Sequence, residues 1–375
     1  NDVIRTVRGM RQRRLGGGDI AVSELGLGTQ RWGGDDFNSP DEALCHRMLD
    51  YAVLERGVNL VDTAEQYPIP SARDKPEGAT ERIIGSWLAK DMARREKLVI
   101  ATKITGGANV TAGNIVRDCE GSLQRLGTDY LDVYMLHWPA RYTPQSNWGQ
   151  SLDYNHSVEN ELYYREHASF EEIAEAMGKL IEQGKIRGYG MCNDNAYGLA
   201  ATAAAARALG VPQPCAMQGD YSMLNRRCDE NGLAEASSPI HENCGFMAYN
   251  CLAGGILTNK YSNSEDGPAA VDDSDLKRRS KHLANPRGRM DDYSWGRTLY
   301  RYRTAAAMDA AAEYAKLAAE AGLTPLQLAL RWARQRQSVT TCLVGATSMA
   351  QLEEQCDAFD TRTADPLSEE LLWAV

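Results

Sequence analysis

Short apolar runs alternate with amphipathic stretches eight times along this chain. The apolar runs lie at 25–28, 58–61, 98–102, 130–136, 187–192, 214–218, 245–249 and 340–344, each bounded by Gly, Asp or Asn. Runs this short and this continuously apolar fit strands buried on both faces of a parallel sheet. The stretches between them carry helix signals. Ser39-Pro40-Asp41-Glu42 offers an N-cap, a first-turn Pro and a Glu at the third position, and Gly57 offers the stop. Ser169 with Glu172 opens a helix that Gly184 closes, and Thr324-Pro325-Leu326-Gln327 opens another. Ser348 opens the last, with Gln351 spaced to complete a capping box. Eight such units predict an α/β fold, a (β/α)8 TIM barrel. A doubly wound nucleotide-binding sheet would need Gly-x-Gly-x-x-Gly after its first strand. Gly26-Leu27-Gly28 lacks both the third Gly and a following helix.

Two stretches break the rhythm. Residues 140–168 are polar and aromatic, with Trp148, Tyr154, Tyr163 and Tyr164, and residues 261–302 are charged. Loops this long in a compact domain are functional or disordered. Both follow strands, so they belong on the rim that carries a barrel's active site. No linker divides the chain, which reads as one domain over 11–375 behind a basic arm, 1–10.

Composition narrows the function. A hydrophobic content of 43% over 375 residues suffices for one large core. The net charge of -10 has the wrong sign for nucleic acid. The start is the exception: Arg5, Arg8, Arg11, Arg13 and Arg14 face only Asp2 within residues 1–14. That arm fits a solvated terminus or the remnant of an Arg-rich transit sequence. The expected location is therefore the cytoplasm or an organelle stroma such as a plastid's, not the exterior. No apolar run approaches ~18 residues, so no membrane span is expected. Nine cysteines contain no Cys-x-x-Cys and no His at zinc spacing, so neither a metal site nor structural disulfides are expected.

The strand ends carry the chemistry. The second run stops at Asp62-Thr63-Ala64-Glu65-Gln66-Tyr67, the third runs into Lys103, and the fourth stops at His137-Trp138-Pro139. In a parallel barrel these ends share one rim, so a carboxylate, a phenol, an amine and an imidazole meet. A phenol has a pKa near 10 and needs a neighbouring cation to ionise near neutrality. The four together can hand a proton to a carbonyl oxygen.

These residues, together with Leu25-Gly26-Leu27-Gly28-Thr29, Leu136-His137-Trp138-Pro139, Gly184 to Gly190 with Asn193, Gln218 to Ser222, and Ala248 to Gly255, resemble the aldo-keto reductase family. The likeness covers about residues 12–360. Thr63-Ala64-Glu65-Gln66-Tyr67-Pro68-Ile69-Pro70 and Ser86-Trp87-Leu88 bring it nearest the Tas-type and plastid members, with potassium-channel β-subunits more distant. The segment 13–24 resembles the hairpin that closes the barrel bottom in relatives, leaving residues 1–10 outside the fold.

The resemblance implies an NADPH-dependent reduction of small aldehydes or ketones. Tyr67 would be the general acid, with Lys103 lowering its pKa, Asp62 pairing with Lys103, and His137 orienting the carbonyl. Thr29 and Asp62 would border the cofactor, Asn193 and Gln218 would hold its carboxamide, and Tyr249 would stack on its ring. Leu252 and Gly254 would follow the pyrophosphate; Gly345, Thr347, Gln351, Glu354 and Gln355 would surround the adenosine end. Trp32 and Trp138 would line the substrate pocket, beside Trp148. Relatives often carry Arg or Lys near position 347, where this chain has Thr347; Arg287 or Arg289 is a substitute source of charge. The partner is a small carbonyl compound, with neither nucleic acid nor membrane, and a homo-oligomer is compatible with the composition. The alternative reading is an NADPH-binding sensor or scaffold subunit with slow turnover.

Overall fold

The computed structural model describes residues 2–34, 38–69, 77–143, 154, 156, 167–261, 288–291, 302 and 304–375. Eleven strands form two sheets among these residues. β1 (Val3–Val7), β2 (Met10–Arg14) and β3 (Ala21–Ser23) make a small antiparallel sheet. The other eight are β4 (Leu25–Gly28), β5 (Leu60–Asp62), β6 (Val99–Ile104), β7 (Leu131–Leu136), β8 (Ile186–Cys192), β9 (Ala216–Asp220), β10 (Gly245–Tyr249) and β11 (Val339–Val344). Each pairs in parallel with its neighbours, and β11 returns to β4, so the sheet closes into a barrel. All eight expected strands are present, with ends moved by one or two residues.

The helices α1 (Glu42–Leu49), α2 (Ala79–Ala89), α3 (Ala112–Leu126), α4 (Phe170–Glu182) and α5 (Ala196–Leu209) cross between strands. Two short helices, α6 (Arg227–Glu230) and α7 (Leu233–Ser237), precede β10. α8 (Ala305–Glu320) and α9 (Pro325–Gln335) precede β11, and α10 (Met349–Asp357) and α11 (Glu369–Ala374) follow it. The caps at Ser169 and Thr324 are complete capping boxes. Two details differ from expectation. The cap of α1 is Asp41, whose side chain accepts from Leu44 N–H, because Pro40 stands outside the helix rather than in its first turn. Gln351 does not close a box on Ser348: its Oε1 accepts from Thr347 N–H at 3.0 Å instead.

The basic N-terminal stretch is also more structured than its composition suggests. Val3–Val7 pairs with β2, and Arg11 and Arg13 clamp the buried carboxylate of Glu24 at 2.9 and 2.6 Å. Two of the five arginines thus satisfy a charge that the fold buries. Leu15 and Ile20 from the turn between β2 and β3, with Val22 of β3, join the inner core of the barrel and seal its N-terminal end.

That inner core sets the parity of the strands. Leu60, Val99, Ala101, Val133, Met135, Ala216, Met247 and Leu343 point inward. Side chains alternate along a strand, so the next inward positions toward the C-terminal rim are Asp62, Lys103, His137, Gln218, Tyr249 and Gly345. Polar side chains occupy five of those six places, where the apolar filling stops and a cavity begins.

Candidate active site

A cavity of about 540 Å³ opens at that rim. Among the expected site residues, Thr29, Trp32, Asp62, Tyr67, His137, Trp138, Asn193, Gln218, Tyr249, Leu252, Gly254, Gly345, Thr347, Gln351, Glu354 and Gln355 all line it. Lys103 alone does not; it is fully buried behind the cavity floor. Trp148 and Arg287 lie outside the described residues.

The floor is a closed network. Lys103 Nζ donates to both carboxylate oxygens of Asp62 at 2.8 Å and to the Thr63 carbonyl at 2.8 Å. Gln218 Nε2 donates to Asp62 Oδ2 at 2.7 Å, and Thr29 Oγ1 to the Asp62 carbonyl at 3.0 Å. Burial is the largest single influence and disfavours the Lys103 ammonium, but the charge and hydrogen bonds of Asp62 together with Tyr67 and Cys192 outweigh it, and its pKa is raised. The amine is therefore a fixed cation. Its Nζ lies 5.2 Å from the centroid of the Tyr67 ring, and that ring meets His137 edge-on at 5.6 Å.

The phenol does not follow the sequence expectation. Burial is the largest influence on Tyr67 and pushes its pKa up to about 12; Lys103 pulls it down and Asp62 pushes it up again. The lysine acts with the expected sign, but its charge is shared with two carboxylate oxygens, so desolvation wins. Tyr67 is thus protonated at neutral pH. His137 is held well below the ordinary imidazole range, first by burial and then by Lys103, so it is neutral. Its Nδ1 is buried with no hydrogen-bond partner among the described residues.

Above the floor, Asn193 takes a left-handed backbone (φ 59°). Its Nδ2 donates to the His137 carbonyl at 2.9 Å, and its Oδ1 accepts from the Tyr249 hydroxyl at 2.6 Å. One asparagine therefore ties the ends of β7, β8 and β10 together. The loop after β10 turns at Gly254 (φ 67°) and Gly255 (φ 95°), conformations open to glycine and strained for other residues. Farther out, Thr347 and Gln351 bond to each other, and Gln355 Oε1 is buried without a partner among the described residues.

Sequence reasoning missed a latch beside this floor. Arg141 grips Asp194 with two bonds, at 2.9 and 2.6 Å, and reaches Asn195 Oδ1 at 3.0 Å. Its guanidinium lies 5.4 Å from the ring centroids of both Phe170 and Tyr197. A Cβ on Gly198 would fall 2.3 Å from the Asp194 carboxylate, so only glycine leaves room for it. The latch fastens the loop bearing Trp138 to the residue next to Asn193. Its only signal in sequence was a lone Arg just past the His-Trp-Pro motif. Lys260 and Arg289 also line the cavity, the latter being one of the two arginines considered as a source of charge.

The sequence matches the aldo/keto reductase family over residues 24–368. "Protein tas" of Escherichia coli (strain K12) is 34% identical over 377 aligned positions, covering 96% of both chains. The chain belongs to the aldo/keto reductase family. An aldo-keto reductase of Babesia bovis is 32% identical over 69% of this chain and 88% of its own length. YrpG of Bacillus subtilis (strain 168), an uncharacterised oxidoreductase, is 32% identical over 70% of this chain and 72% of its own. As an aldo/keto reductase the chain is an oxidoreductase, of a family that uses NAD(P)H and acts on small carbonyl compounds. No described helix is long and apolar enough to cross a membrane, and no described His, Cys, Asp and Glu group into a metal site.

Proposed function

We propose that this chain reduces small aldehydes or ketones to alcohols with NADPH, and that Tyr67 is the proton donor. The observation that carries the reading is the juxtaposition of a protonated Tyr67 with a neutral His137, their rings edge-on at 5.6 Å, at the floor of a cavity that both line. A carbonyl oxygen placed between them meets a donor on each side. His137 fixes the direction of the oxygen and Tyr67 O–H gives it the proton. Lys103, sealed beneath, stabilises the phenolate that remains, and Asp62 holds Lys103 in place.

The cavity residues fit a dinucleotide. The positive-φ glycines 254 and 255 bare a stretch of backbone for a pyrophosphate. The orphaned Gln355 Oε1 calls for a donor at the adenosine end. The bound nicotinamide supplies the hydride; Asn193, Gln218 and Tyr249 would present their amides and ring to it. Preference for the 2′-phosphate would rest on Thr347, Gln351 and Arg289 around Gly345.

Tyr67→Phe tests this reading. We expect kcat on 4-nitrobenzaldehyde to fall at least ~100-fold, the ordinary worth of a general acid. NADPH affinity, followed by tryptophan fluorescence, should stay within about twofold, since the phenol contributes no cofactor bond in this reading. Near-normal reduction by the variant would refute Tyr67 as the donor. Wild type that binds NADPH but turns over no aldehyde or ketone would instead favour the sensor-subunit alternative.

A further inference from the structure

A second cleft, of about 500 Å³, lies between α9 and the chain that follows α10. Three arginines line it, Arg56, Arg331 and Arg362, against two carboxylates, Asp357 and Asp360. The pairing inside the cleft leaves one cation over. Arg56 holds Asp357 at 2.7 Å and Asp360 at 3.3 Å, and Arg362 holds Asp360 at 2.6 Å. The hydrogen bond from Arg362 keeps the Asp360 carboxyl down at about 2, so the pairs stay charged throughout the working range.

Arg331 makes no hydrogen bond and no ion pair among the described residues. It is only 9% exposed, and its Nε is buried without a partner. Burial pulls its pKa down; among the described residues the carboxylate that pulls it up is Asp365, which is exposed and acts from beyond ion-pair distance. Arg334, three residues on, adds further positive charge and spends one bond on the Ala358 carbonyl. A buried guanidinium with open donors is costly to hold. Its planar fork suits the two oxygens of a carboxylate or phosphate. Gln327 stands one turn earlier on the same helix, lines the same cleft, and carries an amide donor.

We propose that this cleft is an oxyanion site, separate from the active site, in which Arg331 and Gln327 take a small phosphate- or carboxylate-bearing ligand. Its net charge of one positive unit, counted over three arginines and two aspartates, has the sign such a ligand needs.

The test is calorimetric titration of the full chain with inorganic phosphate, and separately with succinate. NADPH is kept in excess so that the cavity is filled, and ionic strength is held with potassium chloride. Wild type should bind at least one of the two anions at one site per chain. Arg331→Met, which keeps most of the side-chain volume, should weaken that binding at least tenfold. Aldehyde reduction without added anion should remain within twofold of wild type. Phosphate alone points to a phosphate-bearing ligand, succinate alone to a carboxylate, and either supports the site. If wild type binds neither anion, or if wild type and Arg331→Met bind alike, the proposal fails. Should Arg331→Met not fold, Gln327→Leu serves in its place, with loss of at least threefold in anion affinity expected and an unchanged affinity overturning the assignment.

Discussion

The floor of the cavity and its rim around Gly345 are built from the same kinds of polar residue, yet they differ in how those residues are held. On the floor, Lys103 is fully buried, Asp62 is 4% exposed, and every carboxylate oxygen of Asp62 has a donor at 2.7–2.8 Å. At the rim, Gln351 and Glu354 are exposed, and Thr347 and Gln351 satisfy each other. The floor is preorganised before any ligand arrives; the rim must exchange its own bonds, and those of water, for bonds to a ligand. Interactions in the first setting are worth several kcal/mol when broken, those in the second about one. The difference predicts a gradient of mutational effects from floor to rim.

Lys103→Met should give the largest loss. It leaves Asp62 buried without its cation, which costs about 3–5 kcal/mol, and it removes the charge that stabilises the Tyr67 phenolate. We expect no measurable turnover and a clearly lowered melting temperature. Asp62→Asn added to Lys103→Met should recover part of the stability and none of the activity. Recovery of both would mean that the pair is only structural.

Arg141→Leu probes the zone between floor and rim. It leaves Asp194 without its cation, keeping only the Asn195 N–H bond, and frees the loop bearing Trp138 from the residue beside Asn193. Loss of a charge-assisted buried contact of this kind costs about 1.5–3 kcal/mol. We expect kcat/KM to fall roughly tenfold, mostly through KM, while Arg141→Lys restores little because it cannot make both bonds to Asp194. An unchanged KM would place the latch outside the reaction.

The pH dependence separates two buried groups whose contributions have opposite sign. His137 is neutral in the folded chain well below pH 6.5, whereas in the unfolded chain it takes a proton near 6.5. The unfolded state therefore binds more protons in acid. Stability contributed by this group is present above 6.5 and lost as pH falls toward the lower folded value. Glu65 has the opposite sign: burial raises its carboxyl to about 7, so its contribution is present below about 4.5 and lost as pH rises through 7. Glu65→Gln should remove that upper loss in chemical denaturation curves between pH 5 and 8. The reduction rate itself should stay flat from pH 7 to 10, because Tyr67 keeps its proton until about 12. A rate that falls with an ionisation near 7 would contradict the burial of the phenol.

Gln351→Ala should do least. Its side chain now bonds Thr347, so its removal gives up a net contact of about 1 kcal/mol. NADPH affinity should weaken by no more than roughly fivefold, with kcat unchanged. A loss as large as that of Lys103→Met would erase the distinction between floor and rim.

The sequence alone determined the architecture and the membership of the floor. Eight apolar runs of strand length, separated by capped helices, leave a parallel barrel as the economical way to bury them. Asp62, Lys103 and His137 were legible because they interrupt apolar strands at equivalent ends, and Tyr67 because it follows the first of them at fixed spacing. Those signals are local, and local signals survive in a linear chain. What only the tertiary structure decided depends on distance and burial. The net direction of the Tyr67 shift follows from how deep the phenol sits and how completely Asp62 engages Lys103. The clasp of Arg141 on Asp194 spans 53 residues, and the pairing of Arg11 and Arg13 with Glu24 turned a basic terminus into part of the barrel's closed end. The isolation of Arg331 is visible only once its neighbours' partners are known. Charge type can be read from a sequence, but the solvent and counter-charge around it cannot, and these set what an ionisable group will do.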